Sequence, residues 1–217
     1  MEKIITLADY FSEHLESTKI IHELDTGVKK SFAQVYESAL GLAAGLELKQ
    51  GDRLTVILPN SSAWVEYFLA SMIGGWIFSP LPHFVQVQEL NKILAYVEPK
   101  AIVTDREDIN ENLGYKYNVL KVYEKQASPE NYNRPNIGEN QAAALYYSSG
   151  TTGNPKGVIY SHKNMTSLIA SIIRGFKFST EDKQFALLPF GHTASINYNI
   201  LPALMVGCDL IISKGFE

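Results

Sequence analysis

Four small hydroxyl side chains, three glycines and one lysine crowd into a single run, Tyr147-Ser148-Ser149-Gly150-Thr151-Thr152-Gly153-Asn154-Pro155-Lys156-Gly157. Glycine allows positive φ and lets a backbone approach a ligand closely. Successive N–H groups can then converge on an anion. Ser148, Ser149, Thr151 and Thr152 add hydroxyl donors, Pro155 stiffens the exit, and Lys156 supplies a positive charge on a flexible stem. Together these groups suit a polyphosphate. Two common phosphate loops do not fit: the Walker A pattern needs Ser or Thr after its lysine, where Gly157 stands, and no G-x-G-x-x-G occurs. A second candidate is His192, which follows Pro189-Phe190-Gly191 at the end of a strand-like stretch.

The run from Tyr147 to Gly157 meets every position of [YF]-[ST]-S-G-[ST]-T-G-x-P-K-G, and it continues into Val158 and Ser161-His162. It thereby resembles the signature of the adenylate-forming enzymes: acyl-CoA synthetases, luciferases and peptide-synthetase adenylation domains. Upstream, Gly51-Asp52-Arg53, Val56-Ile57-Leu58-Pro59-Asn60-Ser61, Gly74-Gly75 and Pro80-Leu81-Pro82 resemble the opening of that family, with His83 where asparagine is more usual. The resemblance implies the N-terminal part of the large domain of an acyl-CoA synthetase-like fold.

It also implies a two-step reaction. A carboxylate attacks the α-phosphorus of ATP and releases pyrophosphate, and a thiol, usually coenzyme A, then displaces AMP. Ser148, Ser149, Gly150, Thr151, Thr152, Gly153 and Lys156 would hold the nucleotide phosphates, with Mg²⁺ bridging them and Thr152 on the metal. Thr152, Lys156 and His192 would carry the chemistry, with His192 orienting a small-molecule carboxylic acid. Pro189-Phe190-Gly191-His192 resembles the Pro-x-x-His of acid–CoA ligases more than the Phe-Asp-x-Ser of peptide synthetases, although Gly191 replaces a bulkier residue. An acyl-AMP ligase, an amino-acid adenylation domain serving a carrier protein and a non-catalytic nucleotide-binding module remain alternatives. The family's adenine-stacking motif, ribose aspartate and C-terminal lysine domain do not follow. Residues 1–217 are therefore expected to form an N-terminal portion, incomplete at the C-terminus and inactive alone.

Alternation of apolar strands and amphipathic helices sets the expected frame, a layered α/β architecture with a mainly parallel sheet and flanking helices. A helix is expected over Ile4–Leu15, a hairpin over Lys19–Phe32, and a capping box at Ser31 and Gln34 before a helix through Leu46. Strands are expected at Arg53–Leu58, Trp76–Leu81, Ala101–Thr104, Val119–Tyr123, Ala142–Tyr147, Val158–Tyr160, Gln184–Leu188 and Asp209–Ser213. Helices should carry Val65 to Met72, Glu89–Val97, Lys163 to Arg174 and Ile196–Met205, while Ser148–Gly157 is expected as a mobile exposed loop. Asp105–Glu139 is polar and reads as a surface connection. His83 is given no role, and His162 is read as structural at a helix start.

The chain has 217 residues, 46% hydrophobic and 19% charged, enough for a substantial core. A net charge of −4 with no basic block gives no footprint for nucleic acid. One cysteine, Cys208, cannot form an internal disulfide and reads as a small buried residue. With neither a secretory leader nor a membrane-length apolar run, the expectation is a soluble, cytoplasmic protein.

Overall fold

The computed structural model describes residues 5–130, 132–148 and 156–214, the Ser148 side chain excepted. Helix α1 (Leu7–Ser12) starts at Thr6, whose hydroxyl accepts from the Asp9 N–H while the Asp9 carboxylate accepts from the Thr6 N–H. That reciprocal cap starts the helix later than the expected Ile4, which lies outside the described residues, and turns replace the helix after Ser12. Strands β1 (Ile20–Glu23) and β2 (Lys29–Ser31) form the expected hairpin, with Gly27 at φ 72° in its turn. Ser31 and Gln34 make the expected capping box of α2 (Phe32–Gly45). Next come β3 (Arg53–Ile57), α3 (Ser62–Gly74) and β4 (Ile77–Pro80); Ser61 caps α3, and Gly75 closes it in the left-handed region. Then follow α4 (Val87–Val97), β5 (Ala101–Thr104), α5 (Glu107–Leu113), β6 (Val119–Leu120), β7 (Ala142–Ser148) and β8 (Lys156–Ser161). Helix α6 (His162–Phe176) leads to β9 (Lys183–Ala186), α7 (Thr193–Ser195), a π-helical turn at Ile196–Ile200, α8 (Leu201–Val206) and β10 (Asp209–Ile212).

Two sheets result, in the orders β2-β1-β10-β9 and β6-β5-β3-β4-β7-β8. Their pairings are parallel except β1 with β2 and β7 with β8, so the expected layered, mainly parallel architecture is present. Strand β3 shows why the larger sheet needs helices on both faces. Leu54 and Val56 enter the core shared with α3, whereas Ile57 enters a second core built by α4 and α5. Helix α3 is buried nearly all round, as an apolar helix must be when it lies at the centre of a domain. Its Trp64 meets Phe78 of β4 edge-on at 4.9 Å between centroids and Phe190 at 5.3 Å. The Ile21 and Leu210 side chains from the smaller sheet join the same core.

Three expectations need correction. The region 105–139 is more than a surface connection: Ile109 and Leu113, one helical turn apart, bury one face of α5. Beyond β6 the chain straps across α2 and α3, where Tyr123 N–H donates to the Tyr67 hydroxyl at 2.9 Å and Ala127 N–H to Gly41 O at 3.0 Å. A Cβ at Gly45 would overlap Lys125 of this strap, so glycine there is a close-approach requirement. Second, the expected Ile196–Met205 helix begins with a π turn. Third, Lys156 and Gly157 already belong to β8, paired with Ser148 and Tyr147, because hairpin pairing extends the strand to Lys156. The remainder of the expected loop, residues 149–155, lies outside the described residues.

Cys208 is buried as expected, and burial pushes its thiol up to about 11. Among the described residues no helix is long and apolar enough to cross a membrane.

Candidate functional site

The ends of the hydroxyl-rich run are tied together. Tyr147 stands opposite Gly157 and Ser148 opposite Lys156 across the antiparallel β7–β8 pair. Gly157 makes room here for side chains rather than for a ligand: a Cβ on it would lie 2.9 Å from Leu145 Cδ1 and 3.3 Å from the Tyr96 ring. Tyr147 packs edge-on against Tyr96 at 6.5 Å, and burial pushes its phenol up to about 12. Lys156 is exposed at the start of β8. Ser149, Gly150, Thr151, Thr152 and Gly153 lie outside the described residues, so their expected phosphate contacts have no geometry here.

Behind this hairpin, Ser161 caps α6 through the Asn164 N–H at 3.1 Å. His162 then opens the helix, buried, with neither ring nitrogen hydrogen-bonded to a described residue. Burial disfavours the imidazolium and pulls its pKa down to about 4, against a small upward pull from Asp9. Its place at the start of α6 is the one the sequence suggested.

His192 is held differently. It stands, exposed, at the N-cap of α7, with its N–H donating to Pro189 O at 3.0 Å. Phe190 is buried against Trp64, and its N–H donates to Asn60 Oδ1 at 2.8 Å. Ser195 Oγ donates to Leu188 O at 2.9 Å. Gly191 presses on the backbone that leaves β4: a Cβ there would come within 2.7 Å of the Leu81 carbonyl carbon. The bulkier residue that the resemblance implied at this position has no space. The π turn follows α7 directly, a placement that π turns often take near functional groups.

The loop after β4 completes this edge of the sheet. Arg106 Nη1 donates to the carbonyls of His83 and Val85 at 2.8 and 2.6 Å, while Nε donates to Asp108 at 3.0 Å. His83 Nε2 lies 2.8 Å from Asp105 Oδ1. Burial would raise the Asp105 carboxyl, but the His83 bond and charge hold it below its ordinary value. Phe84, exposed, lies 6.3 Å from the His192 ring. The register Phe78 opposite Ala144 brings the C-terminal ends of β4 and β7 to one edge. Ser148, Lys156 and the His192 segment therefore gather outside the carboxyl ends of parallel strands, where α/β folds bind ligands. Among the described residues no bond joins Lys156 directly to His192. A recess of about 490 Å³ lies elsewhere, between α2 and the strap, and is lined by Gln34, Glu37, Gln126 and Pro129 among others.

Asn60 and Arg106, which position this edge, were not identified as site residues from sequence. Asn60 belongs to the Val56–Ser61 run, but only the fold brings it to Phe190.

Comparison with known proteins agrees with this layout. The family of AMP-binding enzymes matches residues 10–217. A 4-coumarate–CoA ligase 3 of Arabidopsis thaliana is 28% identical over 216 residues, covering 88% of this chain and 38% of that protein. A 4-coumarate–CoA ligase 2 of Nicotiana tabacum is 31% identical over 211 residues, covering 86% of the chain and 39% of the relative. The chain thus spans less than two fifths of the length of either. Crystalline ATP-bound MatB from Rhodopseudomonas palustris shares the fold at a TM-score of 0.87 and 24% identity, over 99% of this chain and 46% of that one.

Proposed function

The chain belongs to the family of AMP-binding enzymes, and from that premise we propose that it is the N-terminal portion of an ATP-dependent carboxylic acid–CoA ligase. The observation that carries this reading is the gathering of the Ser148–Lys156 hairpin base and the His192 segment at one carboxyl edge of the larger sheet. One group suits a polyphosphate and the other an organic acid, which are the two reactants of adenylate formation.

In this reading the Lys156 ammonium and the hydroxyls and N–H groups of Ser148 to Gly153 hold the ATP phosphates. They shield the α-phosphorus from the negative charge of its neighbours as the acid carboxylate approaches. A lysine–phosphate contact at ~4 Å contributes about 4 kcal/mol at an effective dielectric near 20. The carboxylate oxygen bonds to the α-phosphorus, the bond to the bridging oxygen breaks, and pyrophosphate departs with that electron pair. His192 orients the carboxylate. A thiol, coenzyme A in the closest analogy, then takes the acyl group and releases AMP.

Among the described residues no cluster of three or more His, Cys, Asp or Glu side chains forms a cage for a metal ion. Independently of that, Mg²⁺ would be carried chiefly by substrate phosphates and water, with the Thr152 hydroxyl as the protein ligand we assign to it. The relatives' names make a hydroxycinnamate-like acid the first substrate to try.

Acid-dependent exchange of labelled pyrophosphate into ATP tests the reading, run on the ligase polypeptide carrying this chain with aromatic and aliphatic acids. Exchange is expected with at least one acid, followed by thioester formation when coenzyme A is added. Exchange without any thioester would favour an acyl-AMP ligase, and no exchange with any acid would refute the ligase assignment. Residues 1–217 alone are expected to bind Mg·ATP weakly. With a Kd of about 1 mM at 1 mM ligand, stabilisation is only ~0.4 kcal/mol, a melting shift of roughly 1 °C.

A further inference from the structure

The His192 segment is clamped by one side chain far away in sequence. Asn60 is buried just beyond β3, where both sheets meet the start of α3. Its Oδ1 accepts from the buried Phe190 N–H at 2.8 Å. Its Nδ2 donates to Leu188 O at 3.0 Å and to Ser213 O at 2.8 Å. A backbone N–H can only donate and a carbonyl can only accept, so these partners fix which end of the amide faces which way. The bonds also tie the segment after β9 to the end of β10 and to the larger sheet. Phe190 against Trp64 and Gly191 against Leu81–Pro82 restrain it further. An exposed histidine on a segment fixed at so many points is pre-organised, and pre-organisation counts for most where a reactant must be oriented.

We propose that Asn60 is a positioning residue for the acid half-reaction: through Leu188 and Phe190 it sets where His192 stands relative to the substrate carboxylate. The proposal rests on the ligase reading given above. Asn60→Asp is the sharpest probe, because it keeps the shape, loses both donors and sets a carboxylate against two carbonyl oxygens. In the ligase polypeptide it is expected to lower kcat/KM for the acid roughly ten- to fiftyfold while the KM for ATP stays within about twofold. In combination with His192→Ala it should add less than about twofold, since both changes disable one arrangement. Gly191→Ala, which must push the segment off Leu81–Pro82, should give the same acid-selective signature by an independent route. Ser31→Ala, a cap on α2 remote from this edge, controls for lost stability and should move neither constant. Amide exchange on residues 1–217 provides a readout without turnover: the Phe190 N–H should exchange at least tenfold faster in Asn60→Asp.

Effects of Asn60→Asp and His192→Ala that multiply independently, or an ATP KM that rises with the acid KM, would overturn the role. So would an unchanged Phe190 amide. Wild-type protein without acid-dependent exchange would instead remove the ligase reading, and this role with it, whatever the variants do.

Discussion

The two chemically loaded segments at this edge are held in opposite ways. The ends of the hydroxyl-rich run are closed by near neighbours in sequence, with Tyr147 opposite Gly157 and Ser148 opposite Lys156. The His192 segment has local bonds of its own but is anchored by distant ones: the bond from Phe190 to Asn60 spans 130 residues. A segment with local partners appears in sequence as one contiguous motif, and its chemistry can be read there. A segment with distant partners shows only its exposed residue, and the groups that position it become visible in the fold.

The contrast can be broken first at Phe190. Emptying the space beside Trp64 with Phe190→Ala is expected to cost about 3–5 kcal/mol of stability, measured by denaturant unfolding. A loss below about 1 kcal/mol would mean that the segment is not anchored there. The hairpin side has its own large term, which depends on pH. His162 has a folded pKa of about 4 against 6.5 for the ordinary imidazole. The unfolded chain therefore binds more protons between those values, and stability falls as pH drops from about 6.5 towards 4. The full shift corresponds to roughly 3 kcal/mol. His162→Gln should flatten that part of a stability–pH curve, and an unchanged slope would argue against the buried neutral imidazole.

Lys156→Ala separates function from support. Lys156 is exposed, so stability should hold within about 0.5 kcal/mol. Under the ligase proposal, pyrophosphate exchange should fall roughly ten- to a hundredfold, the equivalent of losing ~1.5–3 kcal/mol of charged contact. Wild-type exchange rates would remove Lys156 from the phosphate site. The smallest effect is expected from Ser161→Ala, which takes one cap from α6 at ~1 kcal/mol and should leave Phe190 amide exchange unchanged. Faster exchange there would show that the two segments are coupled after all.

Much of the frame was legible because apolar period and caps agree with the final contacts. Ser31 with Gln34, Ser61 before α3, and Gly75 after it all do in the fold what their types suggest. The Thr6–Asp9 box was equally readable and starts α1 later than apolar spacing alone implied. Helix α5 was hidden by its polar surroundings, since only Ile109 and Leu113 mark its buried face. The glycine content of Ser148–Gly157, after the apolar run before it, reads as a loop that includes Lys156, yet strand pairing with Ser148 decides the conformation of Lys156. Asn60 carried no signal of its partners, because side-chain bonds across 128 to 153 residues leave no local pattern.

The π turn at Ile196–Ile200 has a bearing on how this segment tolerates changes in length. A π turn holds one residue more than the α-helical ladder needs. Deleting one residue there would let the ladder close into an unbroken α-helix, with Thr193 and Leu201 keeping nearly their present facing. The same deletion inside α6 would turn everything beyond it by about 100°. A one-residue deletion between Thr193 and Leu201 is therefore expected to leave the direction of the histidine nearly unchanged.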